Sequence, residues 1–222
     1  YAFPLDSKTT VNNSQRPIPV NLSLQKGGTY LADKVISNGK IGFGIIAFDY
    51  DDVSFNRNGV FDVNLSCNGK SIFGYQFNTY AFDEMRYRNY LIDYSRYKKT
   101  GQRIQKLFMD PPYNLSIIKT DAENGVVSVV PNLTSVCNLE VSDFFGNKTK
   151  IAIPVEYDML TTIIEKEPVV SNYVVKASKD CFFEKDKCSV FFPAGTFYND
   201  FNLNFDAKNG VLTVHDDTVP AH

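Results

Sequence analysis

Two histidines, four cysteines and one acidic turn are the residues of this chain best suited to chemistry. The histidines, His215 and His222, stand seven positions apart. Catalytic zinc needs three protein ligands and an open position, so this pair does not make a zinc centre. No Ser-His-Asp or Cys-His constellation assembles either, because His215 lies in a strand-like run whose spacing fixes no partner. The carboxylate pairs Asp51-Asp52 and Asp216-Asp217 are adjacent in sequence and diverge in a strand, whereas glycosidase carboxylates face one bond. Asp49, Asp51 and Asp52, with Asn56 and Asn58, offer the oxygen atoms that calcium prefers. Their spacing is not that of an EF-hand. Asp and Asn also close turns through their own backbone, and that reading stands beside the calcium one.

Two further clusters bear on binding. Tyr75, Phe77, Tyr80, Phe82, Tyr87, Tyr90, Tyr94 and Tyr97 form an aromatic-rich stretch. Flat rings stack on sugars, and they equally cover a sheet where another segment packs. Arg86, Arg88, Arg96, Lys98, Lys99, Arg103 and Lys106 interleave with these rings. This basic run is either a surface for an anionic partner or the solvated face of a helix. None of the cysteines forms a C-x-x-C pair, which argues against a zinc ribbon or a thioredoxin site. Cys181 and Cys188 flank a hairpin-like end and suit a local disulfide in an oxidising compartment. Cys67 and Cys137 read as buried thiols. N-x-S/T sequons at Asn12, Asn21, Asn64, Asn114, Asn132 and Asn147 mark glycan sites only in a eukaryotic secreted protein.

The elements that must position these residues read as strands. The 222 residues are 43% hydrophobic and 22% charged, enough for a packed core and too apolar for disorder. A net charge of −2 argues against a nucleic-acid partner. Eighteen Phe and 13 Tyr with no Trp suit pleated, half-buried faces. No segment has the apolar length of a membrane span. Short strands are predicted over 17–24, 30–35, 41–48, 60–65, 71–77, 104–109, 116–119, 125–130, 135–141 and 148–155. Asn68-Gly69, between two alternating runs, is the strongest hairpin signal. Residues 83–99 break the pattern: Asp83 can cap a helix, Gly101 can stop one, and the apolar spacing suits one or two short helical turns.

This order predicts an all-β chain. Residues 1–157 form an Ig-like antiparallel β-sandwich with a helical insertion near 83–99. A charged linker ending in a proline covers 158–168. Residues 169–222 supply about four strands of a second, truncated β domain, against the ~7 of a complete sandwich. The opening Tyr1-Ala2-Phe3-Pro4-Leu5, without an initiating Met, reads as a piece of something longer.

The chain resembles the region that follows the catalytic domain in exported M23-family (LytM-like) metallopeptidases of Bacteroidetes. The resemblance rests on the order of several phrases: Tyr1 to Leu5, Asn38 to Gly44 with Asn56 to Val60, and Leu91-Ile92-Asp93-Tyr94 with Arg103-Ile104-Gln105-Lys106. Asp143-Phe144-Phe145-Gly146-Asn147-Lys148-Thr149 and Val214 to Pro220 complete it. It implies an exported protein, periplasmic or associated with the outer membrane. Peptidoglycan or envelope proteins would be its partners, and zinc would belong only to an intact peptidase domain upstream. The family's H-x-x-x-D and H-x-H zinc motifs do not occur here, so no cofactor and no catalysis carry over. Asp217-Thr218-Val219 is similar to the pattern those bacteria O-glycosylate, which would make Thr218 a modification site. The expected function is a non-catalytic docking region of such a protein. The alternatives are a structural subunit of an outer-membrane complex and a carbohydrate-binding module.

Overall fold

The computed structural model describes residues 1–50, 57–79, 81–109, 115–158 and 171–222. The chain packs as two compact units. The first is Tyr1–Met85 with Ile104–Lys166, and the second is Arg86–Arg103 with Glu167–His222.

The first unit carries the strands β1 (Ala2–Pro4), β2 (Leu22–Leu24), β3 (Tyr30–Ala32), β4 (Val35–Ser37), β5 (Lys40–Ile45), β6 (Asp49–Tyr50) and β7 (Arg57–Asn58). It continues with β8 (Asp62–Cys67), β9 (Lys70–Gln76), β10 (Gln105–Lys106), β11 (Ile118–Thr120), β12 (Val127–Ser128), β13 (Ser135–Ser142) and β14 (Lys148–Tyr157). Eight of them form one sheet in the order β11-β9-β8-β13-β14-β3-β2, with β4 also on β14. A smaller sheet sets β1 and β10 beside β5, and β12 on β5 as well. Most pairings are antiparallel, while β3 and β4 run parallel to β14.

Alternation builds the larger sheet. On β8, Val63 and Leu65 are buried and Asn64 is exposed; on β13, Cys137, Leu139 and Val141 are buried and Val136 and Asn138 are exposed. A period of two puts one set of side chains on the core face, which is what the predicted strands rest on. Phe43 of the small sheet and Leu139, Ile151 and Ile153 of the large sheet line one cavity of about 160 Å³. The sheets are therefore the two walls of a sandwich-like core. At Gly42 a Cβ would lie 2.2 Å from the Phe108 ring, so glycine is what lets that ring close on β5. Asn68 and Gly69 form the β8–β9 turn with φ of 50° and 80°, as a two-residue Asn-Gly hairpin requires.

The predicted helical insertion resolves into a 3-10 helix, Phe82–Asn89, and α1, Tyr94–Thr100. Asp93 caps α1 by accepting from the Arg96 amide at 3.1 Å. Gly101, at φ 73°, ends it in the left-handed conformation. The segment from Arg86 onward packs with the second unit rather than inside the first. The rings of Tyr87 and Tyr90 explain this, since both lie against Tyr198.

That second unit also holds β15 (Val174–Val175), β16 (Cys181–Lys185), β17 (Cys188–Phe192), β18 (Phe201–Asn202), β19 (Phe205–Lys208) and β20 (Val211–Val214). They pair in twos: β15 with β18, β16 with β17, and β19 with β20. Its core is Val175, Cys181, Leu203 and Phe205, wrapped by Tyr173, Phe183, Phe192, Phe197 and Phe201. Of the linker expected at 158–168, all but Asp158 lies outside the described residues.

The cysteine pairing differs from the sequence expectation. Cys67 is bonded to Cys137, and Cys181 and Cys188 are free. Register gives the reason. Cys67 and Cys137 face each other directly across β8 and β13, with Cα atoms 4.0 Å apart. In the β16–β17 hairpin Cys188 opposes Lys185 and Cys181 opposes Phe192. Four positions along a strand separate the two thiols by about 13 Å, and bridging needs Cα atoms within about 7 Å.

Candidate docking surface

One end of the first unit presents apolar surface on a rigid frame. The turn between β13 and β14 is Asp143-Phe144-Phe145-Gly146-Asn147. Asp143 closes it, its carboxylate accepting from the Asn147 amide at 2.8 Å and from Asn147 Nδ2 at 2.6 Å. The Asn147 hydrogen bonds hold that carboxyl below its ordinary pKa. The Asp143 amide donates to the Asn147 carbonyl at 3.2 Å, completing the loop. A turn closed in this way holds Phe144 and Phe145 outward, 74% and 88% exposed. Their rings meet edge to face at 5.8 Å, and Phe144 rests on Phe61 at 5.2 Å. Two phenyl groups in water, fixed before any partner arrives, are the kind of anchor that carries interface energy.

Beside this turn lies a groove of about 530 Å³. Leu22, Tyr30, Ile45, Phe48, Val60 and Ile151 give it an apolar floor. Asp49, Ser142, Asp143, Asn147, Lys148 and Thr149 add polar groups to its lining. Lys148 is tied to Glu140 at 2.6 Å, so its charge is already answered. The groove continues toward the inter-sheet cavity, because Leu22, Ile45, Ile46 and Ile151 line both. Nothing here is arranged as a nucleophile with a base. An apolar floor with polar groups in its lining suits the binding of another molecule.

The residues singled out from sequence fall elsewhere. Asp49 pairs through its backbone with Asn58, while Asp51 and Asp52 lie outside the described residues. No group of three His, Cys, Asp or Glu side chains converges among the described residues. Tyr90 is buried, and Asn199 Nδ2 donates to its hydroxyl at 3.4 Å. Tyr87 packs on Tyr198 and, at 5.5 Å, on His222. These two rings are packing groups of the second unit. Tyr94 and Tyr97 contact each other at 6.4 Å on α1. The Arg86 carbonyl accepts from the Tyr198 hydroxyl. Arg96 reaches Asp93 and Gln102, and Arg88 is exposed. Of the basic cluster, Arg96 and Lys98 are thus paired within the second unit, with Asp93 and Asp217. Thr218 donates from its hydroxyl and its amide to Asp216, in a turn that leaves it half-buried.

The histidines do not fit the zinc chemistry that the family resemblance implies for a peptidase. His215 Nδ1 is occupied by the Asn204 amide at 3.1 Å, and the His222 ring stacks on Tyr198 at 4.1 Å. Among the described residues neither joins a group of three such ligands. The sequence reading missed Phe144 and Phe145 as a surface, although their phrase was visible. Two adjacent aromatics between a turn-closing Asp and Gly-Asn are the signal, since neighbours in a strand with one buried face point to opposite sides, while a turn tip can expose both. The chain matches no protein-family model, no curated protein and no solved structure.

Proposed function

We propose that this chain is a non-catalytic docking region of an exported, envelope-located protein. Its partner is a protein of an envelope assembly rather than peptidoglycan. The observation that carries this reading is the pair Phe144 and Phe145, held out on a carboxylate-closed turn beside an apolar groove. Two exposed phenyl rings, edge to face beside an aliphatic floor, favour a protein surface. The Cys67–Cys137 bond supports an oxidising compartment, as export would provide. Assignment of the parent to an M23-type peptidase rests on the order of phrases in the sequence and stays part of the proposal.

The test is a paired capture. Wild-type chain and the Phe144→Ser/Phe145→Ser variant are each incubated with envelope extract and, separately, with purified peptidoglycan. A defined set of proteins held by the wild type and lost by the variant is the expected result. Pelleting with peptidoglycan, equally by both, would overturn the reading.

The β2 edge of the larger sheet, which pairs only with β3 among the described residues, favours one second reading. Leu22 and Leu24 of β2 are exposed at that edge. An added strand from a neighbour would make the chain a structural subunit of an outer-membrane complex.

A further inference from the structure

The second unit carries a binding feature independent of the groove in the first. Strand β20 pairs with β19, its one partner among the described residues. All four of its residues are exposed, Val211 by 65% and Leu212 by 44%. The β19–β20 hairpin has a two-residue turn, Asn209-Gly210, with Lys208 opposite Val211. In such a ladder alternate residues bond across, so Val211 and Thr213 face β19. His215 continues this phase, its amide donating to the Asn204 carbonyl at 2.6 Å. The amides and carbonyls of Leu212 and Val214 therefore point to the open edge.

This edge leads into a pocket of about 130 Å³. Phe192, Phe197, Phe201, Leu203, Val214 and Val219 supply its apolar wall. An apolar cavity of about 150 Å³ accepts a benzene-sized guest, so one branched aliphatic or phenyl side chain fits here. His215 also lines it, its ring edge-on to Phe201 at 5.0 Å, with φ of 55°, a left-handed conformation uncommon for a residue other than glycine. Its Nδ1 accepts the Asn204 amide, which places the neutral ring's proton on Nε2. That N–H lies 3.8 Å from Asp216 Oδ1, outside hydrogen-bonding distance. Asp216 Oδ1 instead takes the Thr218 amide at 3.0 Å. The pocket lining thus offers one donor with an exposed carboxylate next to it, and Lys99 lies within electrostatic reach of that carboxylate. Lys98 already answers the neighbouring Asp217 at 2.6 Å.

We propose that β20 and this pocket bind an extended polypeptide segment that adds as a strand to the edge and seats one apolar side chain in the pocket. The backbone of Leu212 and Val214 supplies the ladder hydrogen bonds, and the pocket supplies selectivity. His215 Nε2–H receives a neutral peptide carbonyl. A carboxylate in that place would face Asp216, so an acidic neighbour or a free C-terminus is disfavoured. A basic residue beside the anchor meets the Asp216 charge. The proposal does not rest on the docking surface of the first unit, and either can fail alone.

The experiment uses the whole chain and three blocked hexapeptides that alternate valine and threonine around a central leucine. One carries lysine beside the leucine, one carries aspartate there, and one carries lysine with glycine in place of the leucine. Backbone amide spectra and hydrogen exchange are followed on the chain during titration. The lysine–leucine peptide is expected to shift Leu212, Val214 and His215 and to slow exchange at Leu212 and Val214. Losing the leucine should weaken binding by about tenfold or more, the worth of one buried aliphatic side chain. The aspartate peptide should bind more weakly than the lysine peptide. His215→Asn, which tolerates the same backbone conformation, should weaken the lysine–leucine peptide and leave the rest of the spectrum in place. Equal binding of all three peptides, no binding at millimolar peptide, or shifts confined to the Phe144–Phe145 turn would overturn the proposal. So would light scattering that shows the free chain pairing with itself through β20.

Discussion

The two units solve the same problem with different means. The first has an eight-stranded sheet whose inner face is aliphatic, from Val63 and Leu65 across to Ile151 and Ile153, and a disulfide between its central strands. Among its described residues the second has three two-stranded ladders, with Val175, Cys181, Leu203 and Phe205 as a buried cluster. A lone two-stranded ladder is marginal in water. Here rings close the gap: Tyr173 meets Phe183 and Phe205, Phe192 meets Phe197, and Phe197 meets Phe201. Each aromatic pair contributes about 0.5–1.5 kcal/mol beyond its burial. A large sheet can afford an exposed aromatic turn because its stability lies elsewhere. In the small unit many rings line the core, and Tyr87 and Tyr90 lie against Tyr198, while Phe182 and Phe191 pair across β16 and β17 on the exposed face.

The comparison breaks first at the disulfide. The bonded cysteines are 70 residues apart, so opening the bond frees a long loop in the unfolded chain. Cys67→Ala/Cys137→Ala, or reduction, should cost the first unit about 4 kcal/mol in denaturant unfolding. Cys188→Ala should change stability by less than about 0.5 kcal/mol. Equal losses would contradict the pairing. Next comes the small core. Leu203 is 1% exposed, and Leu203→Ala should cost about 3 kcal/mol. Its unfolding should be seen in the second unit's amides while Leu65 and Leu139 keep their hydrogen-exchange protection.

A smaller effect sharpens the first unit. Tyr75 is buried and donates to Gln105 Oε1 at 2.5 Å. Burial pushes its hydroxyl pKa up, and the Asp62 carboxylate adds to this. Tyr75→Phe should cost about 1 kcal/mol, read from the midpoint of chemical unfolding. The smallest effect is electrostatic and belongs to the second unit. Hydrogen bonds from Lys185 and then Lys208 lower the Asp206 pKa to about 2. The folded value lies below the unfolded one, so this contribution is present above about pH 4. It fades as pH falls through about 2. Asp206→Asn should flatten the second unit's stability over that window and leave the first unit's acid profile unchanged.

Local pattern made much of this fold legible. Alternation marked β13 and β14 almost to their ends, and Asn68-Gly69 marked the β8–β9 turn because Asn and Gly take the positive φ of such a turn most readily. Gly101 marked the end of α1 for a related reason. Long-range register was not legible. Cys67 meets Cys137 because two separate hairpins share β8 and β13, and nothing within either strand records that. Cys181 and Cys188 suggested a bond by nearness in sequence, while the Asp186-Lys187 turn sets them four positions apart. The same limit hid the packing of residues 86–103, since their ring partners lie beyond residue 195. The candidate surface was visible as a phrase, but its meaning depends on exposure, and a turn tip cannot be told from a strand interior by composition.

The most direct test of the docking account places a photoreactive phenylalanine analogue at position 145 of the full chain. A second chain carries it at the exposed Lys179, as a control. Each is illuminated in envelope extract. The account predicts a discrete crosslinked protein from position 145 that the control does not give, and that excess unlabelled wild-type chain suppresses. No crosslink at 145, or the same products from both positions, would contradict it.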